Sequence, residues 1–318
     1  VDVEPEGTLV DITPAMAVPE PAGQTSGFTD IIITKSQASP FGFNGEDELG
    51  LNTGAGYGTV RAGKIAQAIR KLTNQVEADL CGLQSTFSRA VGTAGTTPFG
   101  TANDYTDASK ALQVLKDNGS PLQDNQLVIN TSAGVNLLGK QANVSDAGSD
   151  SILRQGVLLD VNGMPIRESA QVNSVAAVGT TANAVTTAGH AVGSTSIVLK
   201  AGGSGTILAG DVITFAGDTN QYVVVTGVGA VSGATIVIAA PGLRQALPVG
   251  DKAISIVAAS ARNMAFNRSA IVLASRQPAR PVEGDMALDV TTITDPRSGL
   301  TMEFAMYPGY RKVRYEVA

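Results

Sequence analysis

Tryptophan is absent from this chain, and cysteine and histidine occur once each. A lone Cys81 cannot form an internal disulfide, so no cross-linked framework holds the fold, and such usage fits a reducing compartment. A lone His190, set in a Gly/Thr/Ala stretch without a nearby cysteine, leaves neither a zinc ligand set nor a Ser-His-Asp triad to build. No run approaches the roughly 18 to 20 apolar residues that would span a bilayer. The opening Val-Asp-Val-Glu-Pro-Glu is acidic and lacks the basic-then-apolar order of a signal peptide. The chain starts at Val1 without an initiator methionine, which reads as a processed or absent start. Charge is scarce as well: 16% of residues are Asp, Glu, Lys or Arg, against about 25% in ordinary domains. The net charge of −6 argues against a dedicated nucleic-acid binder, which would carry a basic face.

Glycine is what the chain has in excess, 36 residues of 318, or about 11% where roughly 7% is usual. At 318 residues the chain predicts two or three domains. So few charges leave much weakly polar surface on a monomer. Burial of that surface against further copies is the simpler outcome.

The strongest periodic signal runs from Val60 to Val91. Ile65, Ile69, Leu72, Val76, Leu80, Leu83 and Phe87 recur at steps of three and four, which places them on one stripe of an α-helix. Arg61, Lys64, Arg70, Lys71, Gln75, Glu77 and Asp79 supply the polar side, and Gly92 stands where a helix stop belongs. Such a helix would run about 45–50 Å, more than a compact domain needs. Before it, residues 8–43 predict two extended arms. The first is Thr8–Val18, and the second carries Phe28-Thr-Asp-Ile-Ile-Ile-Thr34. Pro14 and Pro40 confine these arms to edge or irregular pairing. A two-stranded ribbon is marginal alone in water, so this one is expected to lie on something, a neighbouring subunit being one candidate. Asn44–Gly58 reads as a Gly-rich connection.

After the long helix, Asp104–Asn118 predicts a second helix capped by Asp104 or Thr106, and Leu127–Asn130 a buried strand. Ala133–Lys140 predicts a helical turn, and Ser151–Val161 with Gly163–Glu168 a helix-to-strand passage. From Val172 the texture changes to short strands: Ser196–Lys200, Asp211–Phe215, Gln221–Thr226, Ala234–Ala239 and Lys252–Val257. Their Gly, Asp or Pro turns are a small-barrel or sandwich signature. Residues 172–260 are therefore expected to be a self-contained insertion. Ser269–Ala274 predicts a strand that pairs with Leu127–Asn130 across it. Met286–Ile293, Leu300–Tyr307 and Lys312–Val317 predict a closing hairpin with a third strand, its apolar face on the long helix.

Chemistry is thin. Gly54-Ala-Gly-Tyr-Gly58 is similar on its face to a phosphate-cradling loop, but Glu46–Gly50 before it is acidic and not the buried strand that fingerprint needs. Glu46, Asp47 and Glu48 lack the alternating ligands of a calcium loop and predict a solvated face or an ion pair with a neighbour. Cys81 reads as packing. Arg311, Lys312 and Arg314 are too few to bind nucleic acid. No catalytic, cofactor-binding or metal-binding residue is assigned, and no cofactor is called for.

The order of parts resembles the major capsid protein of tailed double-stranded DNA phages, with the fold named for phage Hong Kong 97, and within it the group with an inserted β-barrel. The residues that carry the resemblance are Val10-Asp-Ile-Thr-Pro-Ala-Met16, Asn52-Thr-Gly-Ala-Gly-Tyr57, Ile65-Ala-Gln-Ala-Ile69 with Glu77-Ala-Asp-Leu80, Phe266-Asn-Arg-Ser-Ala270, and Phe304–Val317 with Pro308-Gly-Tyr310. They are packing and assembly motifs spread over nearly the whole chain. The resemblance implies an α+β capsid fold. It divides into residues 1–59 (an N-terminal segment with an extended loop at about 8–45), 60–119 (a peripheral domain with a spine helix and the helix after it), 120–171 and 261–284 (the two parts of an axial domain), 172–260 (the inserted β-barrel) and 285–318 (a peripheral β-hairpin). It implies a non-enzymatic shell subunit forming hexamers and pentamers around packaged DNA, with procapsid maturation in the host bacterial cytoplasm. Scaffolding, portal and decoration proteins would be its partners, with no membrane. The covalent Lys–Asn cross-link of some members cannot be placed. The alternatives are an encapsulin-type compartment, against which the insertion argues, and a nucleotide-binding enzyme, against which the missing strand before Gly54 argues.

Overall fold

The computed structural model describes residues 2–3, 27–54, 56–101, 104–140, 158, 160–172, 174–175, 179–186 and 188–318. The first predicted arm, Thr8–Val18, the motif Val10–Met16 and most of Ser151–Val161 lie outside them. The chain divides into two compact units, one of residues 1–73 with 273–318 and one of residues 74–272.

In the first unit, β1 (Asp2–Val3) pairs antiparallel with β2 (Gly27–Phe28). Beyond Phe28 the β-branched run does not continue as a strand. Residues 29–38 carry no regular structure, and strand geometry resumes only at β3 (Ser39–Asn44). The predicted glycine-rich connection is instead helix α1 (Gly45–Asn52). Asn44 and Asp47 form a reciprocal cap. Asn44 Oδ1 accepts from the Asp47 N–H at 2.7 Å, and Asp47 Oδ2 from the Asn44 N–H at 3.0 Å. The acidic trio Glu46, Asp47 and Glu48 is thus the first turn of a helix, where negative charge suits the exposed N–H groups.

Helix α2 (Tyr57–Gly82) follows, 26 residues or about 39 Å. It ends nine residues earlier than the apolar period predicts. Leu83–Thr86 tightens into a 3-10 turn and Phe87 is extended. The Ser85 hydroxyl donates to the Gly82 carbonyl (3.1 Å) and that of Thr86 to Leu83 (2.8 Å), the local competition by which Ser and Thr disturb a helix. A periodicity count weighs Leu83 and Phe87 but not Gly82 and the two hydroxyls.

The C-terminal segment completes this unit. With β3 already in place and the second unit's elements between, three strands close it: Asp289–Thr294, Thr301–Gly309 and Lys312–Val317. They pair in sequence, and the last also pairs with β3 at the edge, Glu316 opposite Pro40 and Lys312 opposite Asn44. The Asp295 carboxylate holds the first turn by accepting from the Ser298 N–H (3.0 Å) and hydroxyl (2.5 Å). One face of this sheet lies on α2: Met302, Phe304, Val317, Phe41 and Leu300 pack with Ala68, Ile69 and Leu72. So the end of the second arm belongs to a sheet of its own unit, a pairing that separates β3 from the exposed residues just before it.

The two largest buried clusters among the described residues lie in the second unit. Around the first, β4 (Arg89–Ala90) leads through Phe99 to α3 (Thr106–Asp117), β5 (Asn125–Ile129), α4 (Thr131–Lys140) and β6 (Ile166–Glu168). The cap position is Tyr105, which makes no side-chain capping bond, and neither Asp104 nor Thr106 takes it; Asp104 stands one residue further out and accepts from the Thr106 N–H at 2.7 Å. Strand β5 alternates, with Asn125, Leu127 and Ile129 buried, and these meet Ala108, Ala133, Leu137 and Met164.

The insertion leaves this core at β7 (Ser174–Val175) and returns at Ser260–Ala261, which pairs with β7, so the two crossings lie side by side. Between them come β8 (Thr181–Thr186), β9 (Ser196–Val198), β10 (Ser204–Gly205), β11 (Val212–Phe215), β12 (Gln221–Thr226), β13 (Thr235–Ile238) and β14 (Lys252–Ile256). They form an antiparallel sheet in the order β10-β8-β14-β11-β12-β13-β9 around the buried Ile197, Ile213, Phe215, Tyr222, Ile236 and Leu243. Every predicted strand of the insertion appears. The additional ones, β8 and β10, are rich in Thr, Ala, Ser and Gly and give no apolar signal. The sheet is not wholly self-contained, because β4 from before the insertion joins β12, with Tyr222 opposite Arg89.

After the insertion, the strand that pairs with β5 is Met264–Asn267, not Ser269–Ala274. Asn267 explains the shift. Its carboxamide oxygen accepts from both the N–H (3.1 Å) and the hydroxyl (2.7 Å) of Ser269, which turns the chain out of the sheet. Val272 and Leu273 are left exposed.

Candidate functional site

The feature of this molecule that asks for a partner is apolar surface, and it lies in the first unit. Phe28, the last residue of β2, and Ile32 are 75% and 76% exposed, and Ile31 and Ile33, nearly half exposed, lie with Ile32 on backbone that is not part of any sheet. A second such run follows the second unit: Leu273, Val282, Met286 and Leu288 are exposed, on chain that is irregular up to Asp289. Isolated exposed apolar residues are normal, but runs of them on extended chain are not. They are the side chains that an intramolecular core would otherwise have taken.

Against these open runs, the helix and sheet beside them are firmly built. Phe41, Phe43, Tyr57, Phe304 and Tyr315 form an aromatic cluster, with Tyr315 stacked at 5.3 Å on Phe41 and 5.7 Å on Phe304. The Tyr57 and Tyr315 hydroxyls lie 2.8 Å apart. Arg61 sits over both rings, 5.7 and 5.9 Å from their centres, where the aromatic faces attract a cation. Burial, the Tyr315 hydroxyl and the Glu48 carboxylate all push the Tyr57 phenol above its ordinary range, so it stays protonated. Arg61, the first of the polar residues on the predicted helix, is therefore a packing residue, and nothing in its spacing distinguishes it from Lys64. Arg280 is held to Glu303 by a two-pronged ion pair (2.7 and 3.2 Å), which pins the second irregular run to the sheet at one point.

The residues singled out for chemistry are scattered. The His190 backbone exchanges hydrogen bonds with Leu247, and its Nε2 lies 3.2 Å from the Thr186 hydroxyl. That hydroxyl spends its proton on the Val198 carbonyl at 2.7 Å, so Nε2 carries the ring proton. Burial lowers the His190 pKa and keeps it neutral. Cys81 is buried 4.0 Å from the Ser169 hydroxyl, and burial raises its thiol pKa, the opposite of an activated nucleophile. Ser169 in turn donates to Glu77 at 2.6 Å. Gly54–Gly58 follows helix α1, not a strand. Arg311 takes a turn conformation (φ 53°), and Lys312 and Arg314 lie on the strand beside β3. Among the described residues, no three of His, Cys, Asp and Glu come together as metal ligands would, and no helix is long and apolar enough to cross a membrane.

No protein-family model matches the chain, and no curated protein matches it. Solved structures do. One is a chain from Mycobacterium phage Che8, 14% identical, with 85% of this chain and 84% of that one covered at a TM-score of 0.43. Another comes from the asymmetric unit of the bacteriophage PhiM1 mature capsid, also 14% identical, covering 78% and 82% at a TM-score of 0.36.

Proposed function

We propose that this chain is the major capsid protein of a tailed phage, a structural subunit that self-assembles into the icosahedral shell around packaged double-stranded DNA. In this reading α2 and the four-stranded sheet on it are the peripheral domain. The sheet of β5, β6 and Met264–Asn267 with α4 is the axial domain, α3, expected within the peripheral 60–119, packs on it, and residues 172–260 are an inserted β-barrel. The N-terminal residues up to about 45 are the extended loop. The observation that carries the proposal is the exposed run Phe28, Ile31, Ile32 and Ile33 next to a well-packed helix and sheet. Burying one such side chain is worth about 1.5–3 kcal/mol, and the described residues leave most of that gain unclaimed at Phe28 and Ile32. A neighbouring copy in a closed shell repeats the contact at every subunit. The modest negative charge fits a wall that does not grip DNA through many phosphate contacts. Capsomers would be hexamers and pentamers, matured from a scaffolded procapsid with portal and decoration partners. Sedimentation and negative-stain electron microscopy of the purified chain, alone and with its scaffold, test the proposal. Rings and closed shells are expected. A chain that stays a monomer of 32.4 kDa under both conditions overturns it.

A further inference from the structure

The stretch between β7 and Ser260–Ala261 is tied down by more than the pairing of its two crossings. One turn inside it, Leu208–Asp211, is closed by the Asp211 N–H on the Leu208 carbonyl at 3.2 Å. This turn reaches both crossings. Asp211 is fully buried, and its carboxylate accepts from the Leu208 N–H at 2.8 Å and from the Gly179 N–H at 3.0 Å, on the chain that has just entered. Only glycine fits at 179, because a Cβ there would stand 2.5 Å from the same carboxylate and 2.4 Å from the Thr206 carbonyl oxygen. From the chain that has just left, Arg262 donates Nη1–H to the Gly210 carbonyl at 2.7 Å, one residue from Asp211.

The two charged groups depend on each other. Burial presses the Arg262 pKa down by more than the Asp211 charge raises it. Nη2 of the same guanidinium is buried with no hydrogen-bond partner among the described residues. A cation so placed is held, yet not fully compensated for the water it has lost. Taking it away leaves a buried carboxylate without its counter-charge, and such a group turns toward water. That carboxylate is the one on which the Gly179 and Leu208 N–H groups rest. A loss at the exit is thereby felt at the entry.

We propose that the turn Leu208–Asp211 is a latch joining the two crossings, Asp211 holding the entering chain and Arg262 the leaving chain, so that both are held together and open together. The inserted sheet is then clamped or freed at both crossings in one step and does not fray from one side. The latch lies within one chain and does not rest on the shell reading.

Native-state hydrogen exchange on the full chain tests it. Gly179 reports the entry and Leu208 the turn. Asn130 reports the exit, since its N–H donates to the Asn263 carboxamide oxygen, beside Arg262, at 2.8 Å. Ile238, whose N–H donates to the Thr195 carbonyl at 2.8 Å, is the reference inside the inserted sheet. With rising denaturant the first three amides should merge into one opening of one slope, lying below that of Ile238. In Arg262→Met, Gly179 and Leu208 should exchange about ten- to a hundredfold faster relative to Ile238, the scale of one hydrogen bond to a charged group. Ile236→Val, in the buried core of the sheet, should leave those ratios unchanged. The proposal falls if the three amides of the unmodified chain keep separate openings or merge only with Ile238. It falls equally if a folded Arg262→Met chain keeps the original ratios, or if Ile236→Val shifts them as much. Should Arg262→Met fail to fold, the exchange of the unmodified chain decides alone.

Discussion

Replacing Phe28, Ile31 and Ile32 together by serine separates folding from assembly. In the isolated chain the first and last are three-quarters exposed and Ile31 is 45% exposed, with no strand pairing beyond Phe28. Surface changes of this kind move stability by at most about 0.5 kcal/mol each, so the triple variant should melt within a few degrees of the original. The counterpart is Leu72→Ala with Met302→Ala, two residues in the contact between α2 and the sheet. Met302 is 6% exposed and should cost about 2–5 kcal/mol. Leu72 is half-buried and contributes less, and because the pair share a cluster their costs will not simply add. A loss of about 3–6 kcal/mol is a large part of the ~5–15 kcal/mol that holds a domain together. Differential scanning calorimetry and electron microscopy on both variants read the two effects. The serine variant should keep its melt and lose shells, since about 1.5–3 kcal/mol of apolar burial vanishes per side chain at every contact. The alanine pair should unfold early or aggregate. If the serine variant melts as low as the alanine pair, the exposed run belongs to its own core and the reasoning fails.

Arg89→Met should cost about 2–3 kcal/mol by denaturant titration. That is below the ~3–5 kcal/mol of a fully buried pair, because Asp117 is partly exposed and keeps Arg244 at 3.9 Å; an unchanged midpoint would show the pair to be idle. Gly227→Ala should lower the melting temperature of the inserted sheet, since the added carbon would stand 2.5 Å from Leu208 Cα, and overpacking against backbone costs about 1–3 kcal/mol or more. The His190 pKa is depressed by burial, so the unfolded chain takes up a proton that the folded imidazole resists. Stability should therefore fall as pH drops through 6.5 toward the depressed folded value, and His190→Gln should flatten that slope in melts between pH 7 and pH 5; an equal slope in both proteins would assign the effect elsewhere.

The elements legible in the sequence are those whose apolar period is strong and whose ends carry a local signal. The strand Gln221–Thr226 has the bounds its β-branched run predicts, and α3 opens beside Asp104 and closes at Asn118 with Gly119. What escaped is set by polar side chains speaking to the backbone. Ser85 and Thr86 cut α2 short, Asn44 with Asp47 raises a helix from an apparent loop, and Asn267 ends a strand where the apolar run Ala270–Leu273 continues. Each is a hydrogen bond between residues two or three apart that a hydrophobicity count does not see. Of the candidate surface, the run Ile31–Ile33 was visible, but its separation from β3 was not. That separation depends on Lys312–Val317, some 270 residues later, capturing Ser39–Asn44 as an edge strand.

The stretch from β7 to Ser260–Ala261 leaves the rest of the second unit and rejoins it at one place. Its two crossings, β7 and Ser260–Ala261, lie side by side, so the chain can leave and return with little disturbance to the sheet around β5. That geometry alone would let residues 172–260 behave as a passenger. Strand β4 argues otherwise. It sits between the end of α2 and α3, donates its edge to β12, and sends Arg89 to Asn220 on one side and Asp117 on the other. Any tilt of the inserted sheet therefore pulls on β4, within the connection from the long helix to α3. The same stretch, Gln84 to Arg89, lines one groove together with Ser260–Asn263 at the return crossing, so the chain before and after the inserted sheet meets at the place where that sheet is coupled to the rest of its unit.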